Sequence, residues 1–170
     1  MKVLAVIDMQ NDFIDGTLGT KEAELIVSNV RKKIEEFLEK GDLVIYTRDT
    51  HTSEYLKTQE GNNLPVVHCV EKTQGWQISE AVYKEDCPVI DKPSFGSLEL
   101  AEWVASRDNV EEIVLIGLCT DICVISNAMI LKARLPEIPI SVIADCCAGV
   151  TPQSHLNALE AMKMCQIRVY

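Results

Sequence analysis

The stretch that decides the fold is Ile113–Val124, IVLIGLCTDICV. Its first half, Ile113–Leu118, is a continuous apolar run without polar alternation, a pattern typical of a strand buried on both faces of a sheet. Its second half leads into a helical stretch, which we predict over Asp121–Leu135, where a proline follows. The chain therefore passes from a buried strand into a helix, and Cys119 and Cys123 lie at this junction.

The same alternation of strand and helix extends along the rest of the chain. The other predicted strands are short apolar runs: Val3–Ile7, Leu43–Thr47, Pro88–Ile90, Ile140–Ala144 and Ile167–Tyr170. The other predicted helices have apolar periodicity or a capping residue: Glu22–Lys40, Leu98–Ser106 and Pro152–Met164. This order predicts a doubly wound α/β sheet with right-handed crossovers. The segment Thr52–Gln77 is predicted to be a long irregular loop, and such loops are often functional.

Length and composition restrict the organisation and the partners of the chain. The 170 residues, 47% hydrophobic and 25% charged, predict a single domain over residues 1–170. A net charge of -10 disfavours nucleic acid and anionic membrane surfaces, and no apolar stretch approaches the roughly 20 residues of a membrane span. The N-terminal apolar run meets Asp8 and Asp12 too soon for a signal peptide. Because the seven cysteines cannot all pair, we expect reduced thiols in a cytoplasmic protein.

Titratable side chains follow four of the predicted strands directly. Asp8 follows the first strand, Asp49–His51 the second, Lys92 the third and Cys119–Cys123 the fourth. In doubly wound sheets the carboxyl ends of the strands form the binding site, so we expect these side chains to lie close together. Residues two apart on an extended segment face the same side, so the aspartate and histidine of the second group can bind one ion. Imidazole and carboxylate ligands suit Zn²⁺, Fe²⁺ or Mn²⁺.

Cys123 is the candidate nucleophile among the seven cysteines. It lies near the start of a predicted helix, where free N–H groups and the helix dipole favour a thiolate and can accept an oxyanion. Asp8 can carry a proton if burial raises its pKa, and Lys92 can stabilise the negative charge of both. Taken singly, each residue also has a structural interpretation: a buried thiol, a loop-capping carboxylate and a solvated lysine. Their combination at three strand ends predicts a catalytic trio.

Several segments together resemble the isochorismatase-like cysteine hydrolases, most closely their nicotinamidase/pyrazinamidase branch. The segments that carry this resemblance are Asp8–Phe13 (DMQNDF), Asp49–His51 (DTH), His68–Val70 (HCV), Lys92-Pro93 and Gly117–Val124 (GLCTDICV). With the downstream Ala144–Ala148, the resemblance covers nearly the whole chain. We accordingly predict a three-layer α/β fold. Its six-stranded, mostly parallel sheet has the order 3-2-1-4-5-6, with helices on both faces.

The resemblance implies roles for five residues that lie at or shortly after the ends of the predicted strands. It implies a catalytic triad of Asp8, Lys92 and Cys123. It also implies a cis peptide before Cys119, with the backbone N–H groups of Cys119 and Cys123 forming the oxyanion hole. Phe13 would line the substrate ring.

The resemblance also implies a divalent metal, for which we expect Zn²⁺, with Fe²⁺ or Mn²⁺ as alternatives. Asp49, His51 and His68 would hold it. Many nicotinamidases have another histidine soon after the D-x-H triplet. This chain lacks that histidine, and it resembles some members of the family that use a glutamate instead. Glu60 is our choice for that ligand because its loop can fold back onto His68, and Glu54 is the alternative.

The implied activity is hydrolysis of nicotinamide to nicotinate and ammonia through a cysteine thioester. The expected partner is a small-molecule amide, and we expect a homo-oligomer. Three alternatives stay open. The first is a hydrolase of another small amide, such as an N-carbamoyl or ureido compound. The second is a non-catalytic binding module, against which the complete triad argues. The third is a flavodoxin-like or Rossmann nucleotide binder, for which Met9–Asp12 lacks the glycine pattern.

Overall fold

The structure is a computed structural model that describes all residues 1–170. It contains one six-stranded sheet in the order β3-β2-β1-β4-β5-β6, and every neighbouring pair is parallel. The strands are β1 (Lys2–Ile7), β2 (Leu43–Asp49), β3 (Val89–Lys92), β4 (Glu112–Leu118), β5 (Ile140–Ala148) and β6 (Arg168–Val169). The predicted class and strand order are confirmed, and the sheet is wholly rather than mostly parallel.

Six helices accompany the sheet. They are α1 (Asn11–Ile14), α2 (Lys21–Glu39), α3 (Gln59–Asn63), α4 (Leu98–Ala105), α5 (Ile125–Arg134) and α6 (Pro152–Met164). A 3-10 turn covers Tyr55–Lys57, and a π-helical turn covers Thr120–Val124 immediately before α5. No helix among them is both long enough and apolar enough to cross a membrane.

Two cores lie on opposite faces of the sheet, because successive side chains of a strand point to opposite sides. Leu4 and Val6 of β1 pack with the apolar face of α2. Val3, Ala5 and Ile7 pack with the helices α4, α5 and α6 on the other face. Each fully buried aliphatic side chain of this kind stabilises the fold by about 1.5–3 kcal/mol. The central strands are therefore apolar throughout, as their sequence predicted.

The strands β2 and β3 extend to Asp49 and Lys92, two residues beyond the predicted ends, and larger differences from the sequence predictions occur at three places. The nucleophile helix begins with a π-helical turn, because the Val124 N–H donates to the carbonyl of Cys119, five positions earlier, at 3.0 Å. The strand β5 runs on to Ala148, since a register shift lets Gly117 pair with Cys147. Cys147 and its neighbour Cys146 thus lie inside β5 rather than after it. The predicted loop Thr52–Gln77 contains the 3-10 turn and α3.

Gly117 brings the ends of β1 and β4 close together. Its φ is +118°, and a Cβ at this position would lie 2.1 Å from the carbonyl oxygen of Ile7. Only glycine permits such a close backbone approach. The residues that follow the two strands, Asp8 and Cys119, therefore start from neighbouring points at the carboxyl edge of the sheet.

Candidate active site

Asp8 is fully buried and is held by the neighbouring strand β2. The Thr47 hydroxyl donates to Asp8 Oδ1 at 2.7 Å and accepts the Asp8 N–H at 3.3 Å. The φ of Asp8 is +46°, a conformation that is unfavourable for most side chains and is often found at functional sites. The turn after β1 thus fixes the carboxylate in one orientation, with its second oxygen directed at Lys92.

Lys92 is 1% exposed, so it is not a solvated surface lysine. Its Nζ lies 2.6 Å from Asp8 Oδ2 and 3.6 Å from Cys123 Sγ, and it donates to the Ser94 carbonyl at 2.9 Å. Asp49 Oδ1 lies 3.8 Å from the same nitrogen. The structure therefore brings the three predicted triad residues together, with one cation between the carboxylate and the sulfur.

Burial is the largest single influence on the pKa of each member of this trio, although neighbouring charges outweigh it at Lys92. Burial raises the pKa of Asp8 above its ordinary value, with Lys92 opposing and Asp49 reinforcing the rise. Burial lowers the pKa of Lys92, but the negative charges of Asp8, Cys123 and Asp49 outweigh it and hold that pKa above its ordinary value.

The pKa of the candidate nucleophile differs from the sequence expectation. Burial, and then the charge of Asp8, raise the pKa of Cys123 well above that of a free thiol, and Lys92 offsets only part of this rise. The helix start and Lys92 favour a thiolate, as the sequence predicts, but burial beside the Asp8 carboxylate acts on the pKa of Cys123 in the opposite direction.

A cavity of about 270 Å³ opens onto Cys119 and Cys123. The Leu118–Cys119 peptide is cis, as the resemblance implies. Cys119 precedes the π-helical turn, and the first N–H groups of a helix have no acceptor within the helix. The rest of the wall is largely apolar: Phe13, Leu18, Thr20, Ala23, Asp49, Glu60, Leu64, His68, Phe95, Ile122 and Val150. Phe13 thus lies where the resemblance placed it, and the wall contains no lysine or arginine.

The four predicted metal ligands form one cluster beside the cavity. Asp49, His51, Glu60 and His68 each offer a ligand atom, and these atoms all lie within 4.8 Å of one another. His51 Nε2 lies 3.0 Å from Asp49 Oδ2 and 3.6 Å from Glu60 Oε1. His68 Nε2 lies 3.6 Å and 3.8 Å from the same two oxygens. Two imidazoles and two carboxylates are a set of donors that suits Zn²⁺, Fe²⁺ or Mn²⁺.

The surroundings of the cluster fit a divalent cation. His68 Nδ1 lies 2.7 Å from the Val66 carbonyl, a contact that directs Nε2 toward the cluster. Asp49 Oδ1 is buried and accepts no hydrogen bond. Burial alone would raise the pKa of Asp49, but hydrogen bonds from His51 and His68 hold it below its ordinary value. The other oxygen, Oδ2, faces the two histidines, and a dication there would balance the charges of Asp49 and Glu60.

The structure places Glu60, and not Glu54, in the cluster. Glu54 is exposed and forms an ion pair with Lys57. Glu60 lies on α3, which can pack closely on the 3-10 turn because a Cβ on Gly61 would lie 2.1 Å from the carbonyl oxygen of Tyr55. The Tyr55 ring in turn contacts both histidine rings, with centroids 4.6 Å from His51 and 5.0 Å from His68.

Gln10 and Asp12 hold the cluster in place, a role that sequence reasoning missed. The Gln10 amide accepts the Asp49 N–H at 2.7 Å and donates to the Asp49 carbonyl at 2.8 Å. Asp49 pairs with Lys92 of β3 on one side, and the Gln10 amide takes the place of a strand partner on the other side, where the pairing with β1 has ended. Asp12 Oδ2 accepts the Cys69 N–H at 2.7 Å, next to His68. Both residues lie in the DMQNDF stretch, which carried the resemblance without indicating a role for them.

Comparison with known proteins places this site in a family. The Isochorismatase domain matches residues 2–169. The nicotinamidase/pyrazinamidase of Mycobacterium tuberculosis is 26% identical over 186 residues, which cover 99% of this chain and 98% of that protein. A probable inactive nicotinamidase of Arabidopsis thaliana is 28% identical, over 94% of this chain and 87% of its own length. The crystal structure of a Pyrococcus horikoshii pyrazinamidase in complex with zinc has a TM-score of 0.88 at 28% identity, covering 99% of this chain and 98% of that one. The chain therefore belongs to the isochorismatase family.

Proposed function

We propose that the chain hydrolyses nicotinamide to nicotinate and ammonia through a thioester on Cys123. The observation that carries the proposal is that Cys123, held beside Lys92 and Asp8, lines the same cavity as three residues of the metal cluster. The similarity to the nicotinamidase/pyrazinamidase of Mycobacterium tuberculosis and the pyrazinamidase of Pyrococcus horikoshii supports it. A probable inactive nicotinamidase is also similar, so the residues of the site, and not similarity alone, support a catalytic function.

The first step moves one proton and conserves the charge of the trio. Lys92 contacts both Asp8 and Cys123, so a single negative charge can reside on either partner. Asp8 takes the thiol proton as Cys123 Sγ attacks the amide carbonyl carbon. Burial raises the pKa of Asp8 and makes the carboxylate a stronger base, but it also raises the pKa of Cys123, so Lys92 has to stabilise the negative charge as it moves from Asp8 to the reacting sulfur. No net charge is created in the low-dielectric interior.

The remaining steps return the proton and release both products. The tetrahedral oxyanion lies at the N–H groups of Cys119 and Cys123, at the start of the π-helical turn. Asp8 gives its proton to the departing nitrogen, the C–N bond breaks, and ammonia leaves a thioester on Cys123. Asp8 then takes a proton from water as the water oxygen attacks the thioester carbon. The C–S bond breaks as Asp8 returns that proton to Sγ, and the nicotinic acid that is released gives up its own proton to solvent to become nicotinate.

The metal cluster lies on the same cavity wall as the nucleophile. Asp49, His51, Glu60 and His68 would hold the ion. When bound, the ion supplies a positive charge that a ring nitrogen can face, which orients the ring. Phe13 packs against His68 with a centroid distance of 5.5 Å and offers an aromatic wall for the ring.

The cavity favours a small uncharged amide. Its volume of about 270 Å³ suits a single ring, and its wall holds two carboxylates but no lysine or arginine. No lysine or arginine of the wall can pair with a substrate carboxylate, so such a group would have to compete with the ring nitrogen for the metal ion. The size and the apolar lining of the cavity therefore favour nicotinamide over an N-carbamoyl compound that carries a carboxylate.

An ammonia-release panel tests the proposed function. We expect turnover of nicotinamide and pyrazinamide, with kcat/KM for N-carbamoylglycine and for a simple ureido compound lower by about 100-fold or more. Dialysis against a chelator should lower nicotinamide turnover, and added Zn²⁺ should restore it. Faster hydrolysis of the carbamoyl compounds than of nicotinamide would instead establish the alternative substrate class.

A pair of matched glutamine variants tests the choice of the fourth ligand. Glu60→Gln removes the charge of the clustered carboxylate, so we expect Zn²⁺ affinity to fall by at least about tenfold. Glu54→Gln removes the same charge from an exposed residue of the same loop, so its Zn²⁺ affinity should match that of the unmodified protein. Competition with a chromophoric chelator measures both affinities without reference to catalysis. Equal affinities for the two variants would remove Glu60 from the ligand set.

A further inference from the structure

Asn127 is a fully buried polar side chain that the mechanism above does not use. It lies in α5, where its buried neighbours along the helix are Ala128 and Leu131. Asparagine is a poor helix former, and a buried amide is costly unless its hydrogen bonds are made. The hydrogen-bond partners of Asn127 therefore explain why an asparagine occupies this position.

The Asn127 amide forms three hydrogen bonds to backbone groups. Its Oδ1 accepts the Ser97 N–H at 3.0 Å, and its Nδ2 donates to the Phe95 carbonyl at 3.1 Å. Nδ2 also donates to the Cys123 carbonyl at 2.8 Å. Two partners belong to the loop between β3 and α4, and the third is the backbone of the nucleophile. Asn127 thus joins residues 93–97, the wall loop, to the helix turn that carries Cys123.

The wall loop contributes to the site at two points. The Ser94 carbonyl accepts a hydrogen bond from Lys92 Nζ at 2.9 Å, and the Phe95 side chain lines the cavity. The loop also packs tightly on α5, since a Cβ on Gly96 would lie 2.4 Å from Ile130 Cδ1. A shift of the loop along α5 would therefore move both the aromatic wall and the lysine relative to the sulfur.

We propose that Asn127 is a positioning residue, which holds Phe95 on the cavity wall and Lys92 beside Cys123. It acts through these residues and does not touch the substrate itself. The kinetic test of this role rests on the proposed nicotinamide hydrolysis. The chemical test, which measures the reactivity of the Cys123 thiol, is independent of that hydrolysis.

The test compares Asn127→Leu with Leu131→Ala. The first variant keeps the branched shape and the number of side-chain heavy atoms and removes the three hydrogen bonds, whereas the second destabilises the same helix one turn later and leaves them in place. Assayed well below their unfolding midpoints, Asn127→Leu should lose roughly 10- to 100-fold in kcat/KM for nicotinamide, with a raised KM. Leu131→Ala should stay within about twofold of the unmodified enzyme. If Asn127→Leu does not unfold cooperatively, Asn127→Ser replaces it in the comparison with Leu131→Ala.

Alkylation of Cys123 by iodoacetamide, followed by peptide mass spectrometry, gives the second readout. We expect alkylation to slow about tenfold in Asn127→Leu and to be unchanged in Leu131→Ala. In a Phe95→Ala background the additional effect of Asn127→Leu on KM should vanish, because the wall that it positions is gone. If the unmodified protein does not hydrolyse nicotinamide, the proposed function fails, yet alkylation still decides the role of Asn127. Equal alkylation rates in the Asn127 and Leu131 variants would overturn the inference.

Discussion

Cys123→Ala is expected to lower nicotinamide turnover by about 10⁴-fold or more, while the fold stays intact. Two thiols line the cavity, and the sulfur of Cys123 is the one that contacts Lys92, whereas Cys119 contributes its backbone N–H in the proposed mechanism. Removing a nucleophile typically leaves only the catalysis that binding and the oxyanion site supply. Truncating a thiol that is 5% exposed removes little packing volume, so circular dichroism and the unfolding midpoint should change slightly. Ammonia release under saturating nicotinamide measures the loss.

Cys147→Ala is the matched control for this variant. Cys147 is also a buried thiol, lies in the same apolar core and pairs with Gly117 on the neighbouring strand. It does not line the cavity and contacts none of the triad residues through a hydrogen bond. Its loss should leave kcat close to that of the unmodified enzyme. Substantial turnover by Cys123→Ala, or equal losses in both variants, would remove Cys123 from the nucleophile role.

The sequence predicted the fold and most of the site because both depend on patterns that are local. Continuous apolar runs such as Ile113–Leu118 reveal buried parallel strands, and the carboxyl-end rule then brings Asp8, Lys92 and Cys123 together without knowledge of any distance. The resemblance added roles to these residues and to the metal cluster. The structure adds the distances: Lys92 Nζ lies 2.6 Å from Asp8 Oδ2, so the lysine and the carboxylate form an ion pair.

What the sequence could not predict depends on contacts between distant segments. The raised pKa of Cys123 follows from burial and the charge of Asp8, and neither can be read from the helix start on which the expectation was based. The hydrogen bonds of Gln10 and Asn127 reach backbone groups far along the chain, so no spacing rule reveals them. The choice between Glu60 and Glu54 likewise depends on how closely α3 packs against Tyr55.

Lys92→Met is expected to abolish turnover and to destabilise the protein. Methionine has a similar length, but it leaves Asp8 and Asp49 buried without their shared cation. Leaving a buried charge uncompensated typically costs about 3–5 kcal/mol of stability. Without the cation neither the carboxylate nor the thiolate is stabilised, so activity should fall by about 10³-fold or more. Denaturant unfolding and ammonia release measure the two effects separately.

The double variant Asp8→Asn with Lys92→Met separates a catalytic role of the pair from a purely structural one. Neutralising Asp8 removes the charge that Lys92→Met leaves unpaired, so the double variant should be more stable than the sum of the two single losses predicts. A coupling of about 1–3 kcal/mol is expected for two groups whose charged atoms lie 2.6 Å apart. Activity should not return with stability, because the double variant has neither a proton carrier nor a cation beside Cys123. Additive stability losses would show that the two groups do not interact in the folded protein. Recovery of turnover together with stability would mean that the pair only supports the fold, and that another group carries the proton.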